Sequence, residues 1–251
     1  LEFEMSVLDE LADEVPIPEV DHGPEPDREA LAEAARRLAA ARRPLVVVGR
    51  GVATAQAVPQ LRALVDTLGA PVLTTTLGKG VVPESHPRHV GRLYEEEVRG
   101  LAAAADAVVA VGARFTQVDT DDGNVPLPGT LIRVEATAAD AAPVAGYPAD
   151  VSVVGDLRRS LPALRELLAA RSAAGTDWPE EELHRIAAAR ARRVPRLVRE
   201  LDALAEAGVV IAVDVHEQGY PTAEYLRVDD PARFLFSGIS LNLGYGIPAA
   251  V

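Results

Sequence analysis

The sequence predicts an α/β protein: a Rossmann-like open parallel sheet with helices on both faces, followed by an incomplete second α/β unit. Two observations predict it. Short, continuous apolar runs such as "PLVVVGRG" and "AVVAVGARF" end in glycine turns, as strands covered on both faces do. Between them lie segments with apolar residues at helical spacing, so strands and helices alternate as in right-handed βαβ units.

Each element follows in order. Leu1 to Val7 is expected to form a short strand, and the acid- and proline-rich "DELADEVPIPEVDHGPEPD" a linker. Asp27 is expected to cap a helix through Ala41 with Leu31, Ala34, Leu38 and Ala41 on one face, ended by Pro44. A buried strand Leu45–Val48 comes next. "QLRALVDTLG" is a helix with Leu61, Leu64, Val65 and Leu68 inward and Gly69 at its left-handed cap. "APVLTTT" is a strand, "EEEVRGLAAAAD" a helix, and "AVVAVGARF", "GTLIRVE" and "VSVVGD" are strands. "LRRSLPALRELLAA" is the last helix of this unit. After "RSAAGTDWP" a helix is expected from Glu180 to Arg193 and another from Pro195; then come strands in "AGVVIAVD" and "PARFLFSG" and the start of a helix in "GYGIPAAV". The resulting boundaries are 1–26 as the end of a preceding domain and a linker, 27–170 as the Rossmann-like domain, 171–194 as a linker and 195–251 as the start of a further domain.

Composition narrows the function. The chain has 251 residues, is 48% hydrophobic, carries a net charge of −13 and contains no cysteine. The acidity disfavours nucleic-acid binding. The missing thiols exclude disulfides, thiolate metal sites and cysteine nucleophiles. No apolar run reaches the roughly 20 residues of a membrane span, and the acidic start is not a signal peptide. A cytoplasmic setting is the expectation.

Ligands of open parallel sheets bind beyond the C-terminal strand ends. Those ends carry Gly49-Arg50-Gly51, Thr74 to Gly78, Gly112 to Phe115, Glu135, Gly155-Asp156, Asp214 to Gln218 and Ser237-Gly238. "VVVGRGVAT" has two glycines of a dinucleotide fingerprint but Thr54 in place of the third. A tight turn explains it as well as a nucleotide does. Lys79 lacks P-loop spacing. Arg114 suits a phosphate or a plain surface position. His86 and His89 flank Pro87 and read as loop residues, and none of His22, His86, His89, His184 and His216 has metal spacing. "FSGI" around Ser237 is not a nucleophile elbow.

Several stretches carry a resemblance. "RPLVVVGRGV", "LGAPVLTTTLGKGVVPESHPRHVG", "ADAVVAVGARF" and "PADVSVVGDLRRSL" resemble the central domain of thiamine diphosphate-dependent enzymes of the acetolactate synthase and decarboxylase type. "VVIAVDVHEQGYPTAEYLRVDDPARFLFSGISLNLGYGIPAA" is similar to the first part of their diphosphate-binding domain, and "LEFEMSVL" to the strand closing their first domain. The resemblance implies that the turn Ser240 to Gly244 lies against thiamine diphosphate, with Leu243 as the steric prop for its bent form and Asn242 and Gly244 beside it. It implies that His216, Glu217 and Gln218 border the diphosphate. Family members have Gly-Gln-His here, and Glu217 would repel a diphosphate unless turned away. The family's Mg²⁺ motif would follow Val251 and its catalytic glutamate precede Leu1. The chain is therefore expected to be an internal piece, inactive alone and without metal ligands or catalytic residues of its own.

In the flavin-bearing members the central domain holds FAD, at positions that match Gly49, Gly51, Thr75, Thr76, Leu77, Gly112, Arg114, Glu135 and Asp156. Several flanking contacts are changed, among them Arg114-Phe115-Thr116-Gln117-Val118 and Glu135-Ala136-Thr137. The parent is expected to act on a 2-oxo acid by decarboxylation or carboligation, as a homodimer or homotetramer. Two alternatives stand beside this: a nucleotide-binding module for FAD, ADP or a CoA adenylate, and a non-catalytic structural domain. The leading expectation fails if Leu243 is buried in ordinary packing.

Overall fold

The computed structural model describes residues 23–127, 129–144, 146–171, 176–237 and 243–250. The expected strand at Leu1–Val7, the linker after it, and Ser240, Leu241 and Asn242 of the expected cofactor turn lie outside the described residues.

The first helix, α1 (Arg28–Ala40), starts where Asp27 Oδ1 accepts from the N–H groups of Glu29 and Ala30 at 2.8 and 3.3 Å. Two of the four donors without intrahelical partners are satisfied in this way. Next come β1 (Pro44–Val48), a single turn α2 (Gly51–Thr54), α3 (Val58–Leu68) and β2 (Val72–Thr74). Gly69 closes α3 at φ 60°, the left-handed cap its position predicts. The chain continues through β3 (His89–Arg92), α4 (Arg99–Ala104), β4 (Ala107–Val111), β5 (Thr130–Glu135), β6 (Val151–Val154) and α5 (Leu157–Ala170). The six strands form one parallel sheet in the order β3-β2-β1-β4-β5-β6. The order reverses beside β1, so the crevice beyond β1 and β4 is the switch point of a Rossmann-like fold.

Successive strand residues point to opposite faces. Val46, Val48, Val109, Val111, Ile132 and Val134 therefore pack with the apolar stripes of α1, α3 and α5. Leu45, Val47, Val108, Ala110 and Leu131 pack with Leu101 of α4 and with Trp178, Leu183 and Ile186. The last two belong to α6 (Glu180–Arg193), which thus covers the sheet's second face from within 171–194. The Trp178 indole N–H donates to Pro44 O at 2.7 Å and fastens this segment to the start of β1.

Local differences from expectation have physical causes. His89 is not in a loop: it opens β3 and is buried. "HVGR" has only one strongly strand-favouring residue, so pairing with β2 and burial against charged partners decide its state, not propensity. The helix expected over Glu95–Asp106 divides into a 3₁₀ turn, Glu96–Val98, and α4.

The second unit comprises α7 (Arg196–Glu206), β7 (Ile211–Val213), α8 (Gly219–Tyr225), β8 (Phe234–Phe236) and α9 (Gly246–Ala250), with β7 and β8 paired in parallel. Its core is small, centred on Val198, Val213, Leu226 and Phe236. Leu197, Leu204, Val209, Val210, Tyr220, Leu243 and Ile247 are exposed here, whereas in the central sheet unit Val118 alone among the described large apolar residues is exposed. A two-stranded sheet cannot cover both of its faces.

Candidate functional site

The crest of the central sheet is closed by its own backbone. A Cβ on Gly49 would lie 2.1 Å from Gly112 O, and one on Gly51 would lie 2.7 Å from Gly112 Cα. Gly49 N–H donates to Val111 O and Gly51 N–H to Gly112 O, both at 3.0 Å. These glycines let the turns after β1 and β4 touch. Gly78 serves the neighbouring turn likewise, 2.4 Å from Val48 O at its Cβ position.

The polar groups of the crest are engaged with the protein. Thr75 N–H donates to Val48 O at 2.9 Å, and Thr76 N–H to Asp119 Oδ1 at 2.8 Å. Arg114 is exposed and pairs with Asp140 at 2.8 Å. Glu135 is buried; its Oε1 accepts from Ala113 N–H at 3.2 Å and from Arg133 Nη2 at 3.1 Å. Burial pushes its carboxyl up to about 8, against the pull of Arg133. Asp156 caps α5 through Arg158 N–H at 2.9 Å and pairs with the Arg158 guanidinium at 3.0 Å. Among the described residues of this group, Thr76 Oγ1 and Arg133 Nε are buried without a partner. Glu135 and Asp156 are buried and engaged by Arg133 and Arg158 rather than presented to a ribose.

Beside Leu77 a cavity of about 350 Å³ opens between the two units, lined by Arg50, Thr54, Leu77, Lys79, Phe234, Phe236 and Tyr245 among others. Its wall is part of a joint that sequence reasoning missed. Lys79 Nζ donates to Glu84 Oε1 at 2.5 Å, with both side chains buried. Arg92 lies 3.7 Å from the same carboxylate and 4.0 Å from Glu95, and donates to Glu224 O of α8. Glu95 in turn binds Arg190 of α6 at 2.5 Å. Arg62 spans the units, donating to Gly80 O, Val81 O and Asp229 O, each at 2.9 Å. Burial and then the Arg92 charge push the Lys79 amine down to about 7. Burial opposes ionisation of Glu84, but Lys79 and Arg92 outweigh it and hold the carboxyl at about 2. His89, also buried, is driven down to about 3 by desolvation and stays neutral. The available signal was the pair of isolated charges, Lys79 and Glu84, inside the otherwise apolar and glycine-rich "LGKGVVPE".

In the second unit, the end of β7 brings together two segments singled out from the sequence. His216, Glu217 and Gln218 are exposed in the turn before α8, and His216 Nδ1 accepts from Gln218 N–H at 3.2 Å. The backbone N–H groups of His216 and Glu217 have no acceptor among the described residues. Leu243 is 79% exposed, and Gly244 follows it at φ 82°. Asp214 ties this turn down: its Oδ1 accepts from Gly244 N–H at 3.1 Å and its Oδ2 from Gly246 N–H at 3.0 Å. Those N–H groups, Gly246 first, hold the Asp214 carboxyl below the usual carboxylate range. Leu243 thus stands exposed on a turn that Asp214 tethers to the end of β7, the strand end that also carries His216 to Gln218.

The family profile described as thiamine pyrophosphate enzyme, central domain, matches residues 31–164, more than half of the chain. The chain belongs to the thiamine pyrophosphate enzyme family. Thiamine pyrophosphate and thiamine diphosphate are the same compound. Relatives extend the likeness into the second unit. The chain is 31% identical over 233 residues to the protein named probable 2-ketoarginine decarboxylase AruI of Pseudomonas aeruginosa, covering 90% of this chain and 41% of that one. It is 29% identical over 241 residues to the probable acetolactate synthase large subunit of Methanocaldococcus jannaschii (87% and 40%). To the acetolactate synthase isozyme 3 large subunit of Escherichia coli it is 30% identical over 240 residues (87% and 41%). The chain spans about two-fifths of the length of the curated relatives it matches. The six-stranded sheet over 44–154 is the matched central domain of this family, and no helix among the described residues is long and apolar enough to cross a membrane.

Proposed function

We propose that this chain supplies the central domain, about 27–170, and the opening part of the diphosphate-binding domain, 195–251, of a thiamine diphosphate-dependent cytoplasmic enzyme. The enzyme acts on a 2-oxo acid, by decarboxylation or by acetolactate synthase-like carboligation. The observation that carries the reading is the likeness to such proteins, which runs past the central domain to cover about nine-tenths of this chain. The remaining parts of the site, including the Mg²⁺ ligands and the catalytic glutamate the resemblance implies, belong to polypeptide outside these residues.

In this reading Leu243 presses on the cofactor's rings, with Asn242 and Gly244 beside it, and the N–H groups of His216 and Glu217 with the Gln218 side chain meet its diphosphate. Glu217 is exposed, so its carboxylate keeps its hydration and need not face the phosphates. When bound, thiamine diphosphate supplies the carbon nucleophile and electron sink that 2-oxo acid chemistry needs. The protein's share is to orient it and exclude water. The exposed apolar side chains of the second unit support its burial in a larger assembly, a homodimer or homotetramer.

The test is calorimetric titration of the full-length protein with thiamine diphosphate and Mg²⁺, followed by assay of carbon dioxide release from a panel of 2-oxo acids. Saturable binding and turnover of at least one acid are expected. No binding at millimolar cofactor refutes the proposal.

A further inference from the structure

Asp214 is the meeting point of the two segments assigned to the cofactor. Its side chain receives the N–H groups of Gly244 and Gly246, 30 and 32 residues away in sequence. The same Oδ1 also accepts from Val215 N–H at 2.7 Å, which fixes the carboxylate's orientation. Two glycines permit the approach. A Cβ on Gly246 would lie 3.1 Å from Asp214 Cβ, and one on Gly219, the first residue of α8, would lie 2.0 Å from Asp214 O. The turn carrying His216 to Gln218 and the turn carrying Leu243 are thus both packed on this one residue.

We propose that Asp214 is a positioning residue for thiamine diphosphate: it holds the Leu243 turn in register with the His216–Gln218 turn, so that ring and diphosphate can be gripped together. The inference rests on the thiamine diphosphate reading above. The acceptors are geometrically distinct, which makes the role separable from general stability. Asparagine at 214 keeps an Oδ1 for Gly244 but turns an NH₂ donor toward the Gly246 N–H. Alanine removes both acceptors.

The experiment uses the full-length protein as wild type, D214N and D214A. Amide hydrogen exchange is measured without cofactor, and thiamine diphosphate affinity by calorimetry with Mg²⁺ present. In D214A, Gly244 and Gly246 should exchange at least tenfold faster while Val46–Val48 and Val108–Val111 are unchanged, and cofactor affinity should fall at least tenfold. In D214N, Gly246 alone should lose protection, and affinity should lie between the other two. Faster exchange with undiminished affinity, or no change in exchange, overturns the inference while leaving the proposed function intact. If the wild-type protein itself takes up no thiamine diphosphate, the proposed function fails and this inference goes with it.

Discussion

Replacing Glu84 by glutamine should destabilise the protein by about 3 kcal/mol at pH 6, where Lys79, held at about 7, is still charged. The substitution keeps the shape and removes the charge facing Lys79 at 2.5 Å and Arg92 at 3.7 Å. All three side chains are buried, at 3%, 1% and 0% exposure, so no water replaces the lost partner. The carboxyl is held at about 2 rather than 4.5, a shift that corresponds to about 3 kcal/mol in favour of the ionised form in the folded state. Removing one partner of a buried ion pair typically costs about 3–5 kcal/mol. The lower end applies because Lys79, already near 7, can discharge when its counter-ion is gone. The folded pKa is depressed, so the contribution is fully present above about 4.5 and is lost as pH falls through about 2. Urea unfolding followed by fluorescence of Trp178, the only tryptophan and buried in the central core, reads the difference. Wild type and E84Q should differ by about 3 kcal/mol at pH 6, about 6–12 °C in melting temperature for a chain of this size. The two should converge in acid. A difference under about 1 kcal/mol at pH 6, or one that does not shrink as pH is lowered toward 2, would refute the reasoning.

Glu135 has the opposite sign. Its folded pKa of about 8 lies above the ordinary 4.5, so the folded chain holds a proton that the unfolded chain has released. Stability from this group is complete below 4.5 and declines as pH rises through 8, by at most about 1.4 kcal/mol per pH unit. E135Q should flatten that slope between pH 5 and 8, and identical slopes in wild type and variant would count against it. Gly49→Ala places a Cβ 2.1 Å from Gly112 O and should cost several kcal/mol or prevent folding. Gly69→Ala meets no atom within 4 Å and should cost only about 1–2 kcal/mol for its φ of 60°, as compared by denaturant midpoints.

Much of the candidate site could be read along the chain. Gly49, Gly51 and Gly112 were visible as strand-end glycines, whereas Leu243 stood out only through the resemblance of its turn to a cofactor-binding one. Their purpose was less visible. The crest glycines serve backbone contact between the turns after β1 and β4, which no one-dimensional pattern distinguishes from a nucleotide loop. Glu135 falls, by resemblance, at a position that holds FAD in flavin-bearing members, yet Arg133, two positions earlier on the same face of β5, claims it. His89 was misplaced because "HVGR" does not look like a strand without the buried partners that make it one.

The parallel α/β architecture was settled by the amino-acid order alone, because strand burial, helix periodicity and caps such as Asp27 and Gly69 each depend on a handful of neighbouring residues. The joint between the units was not. Arg92 reaches Glu224 across 132 residues, and Arg62 meets Asp229 across 167. Whether a charge is solvated or buried against an opposite one depends on which distant segments fold over it, and only the packed structure decides that.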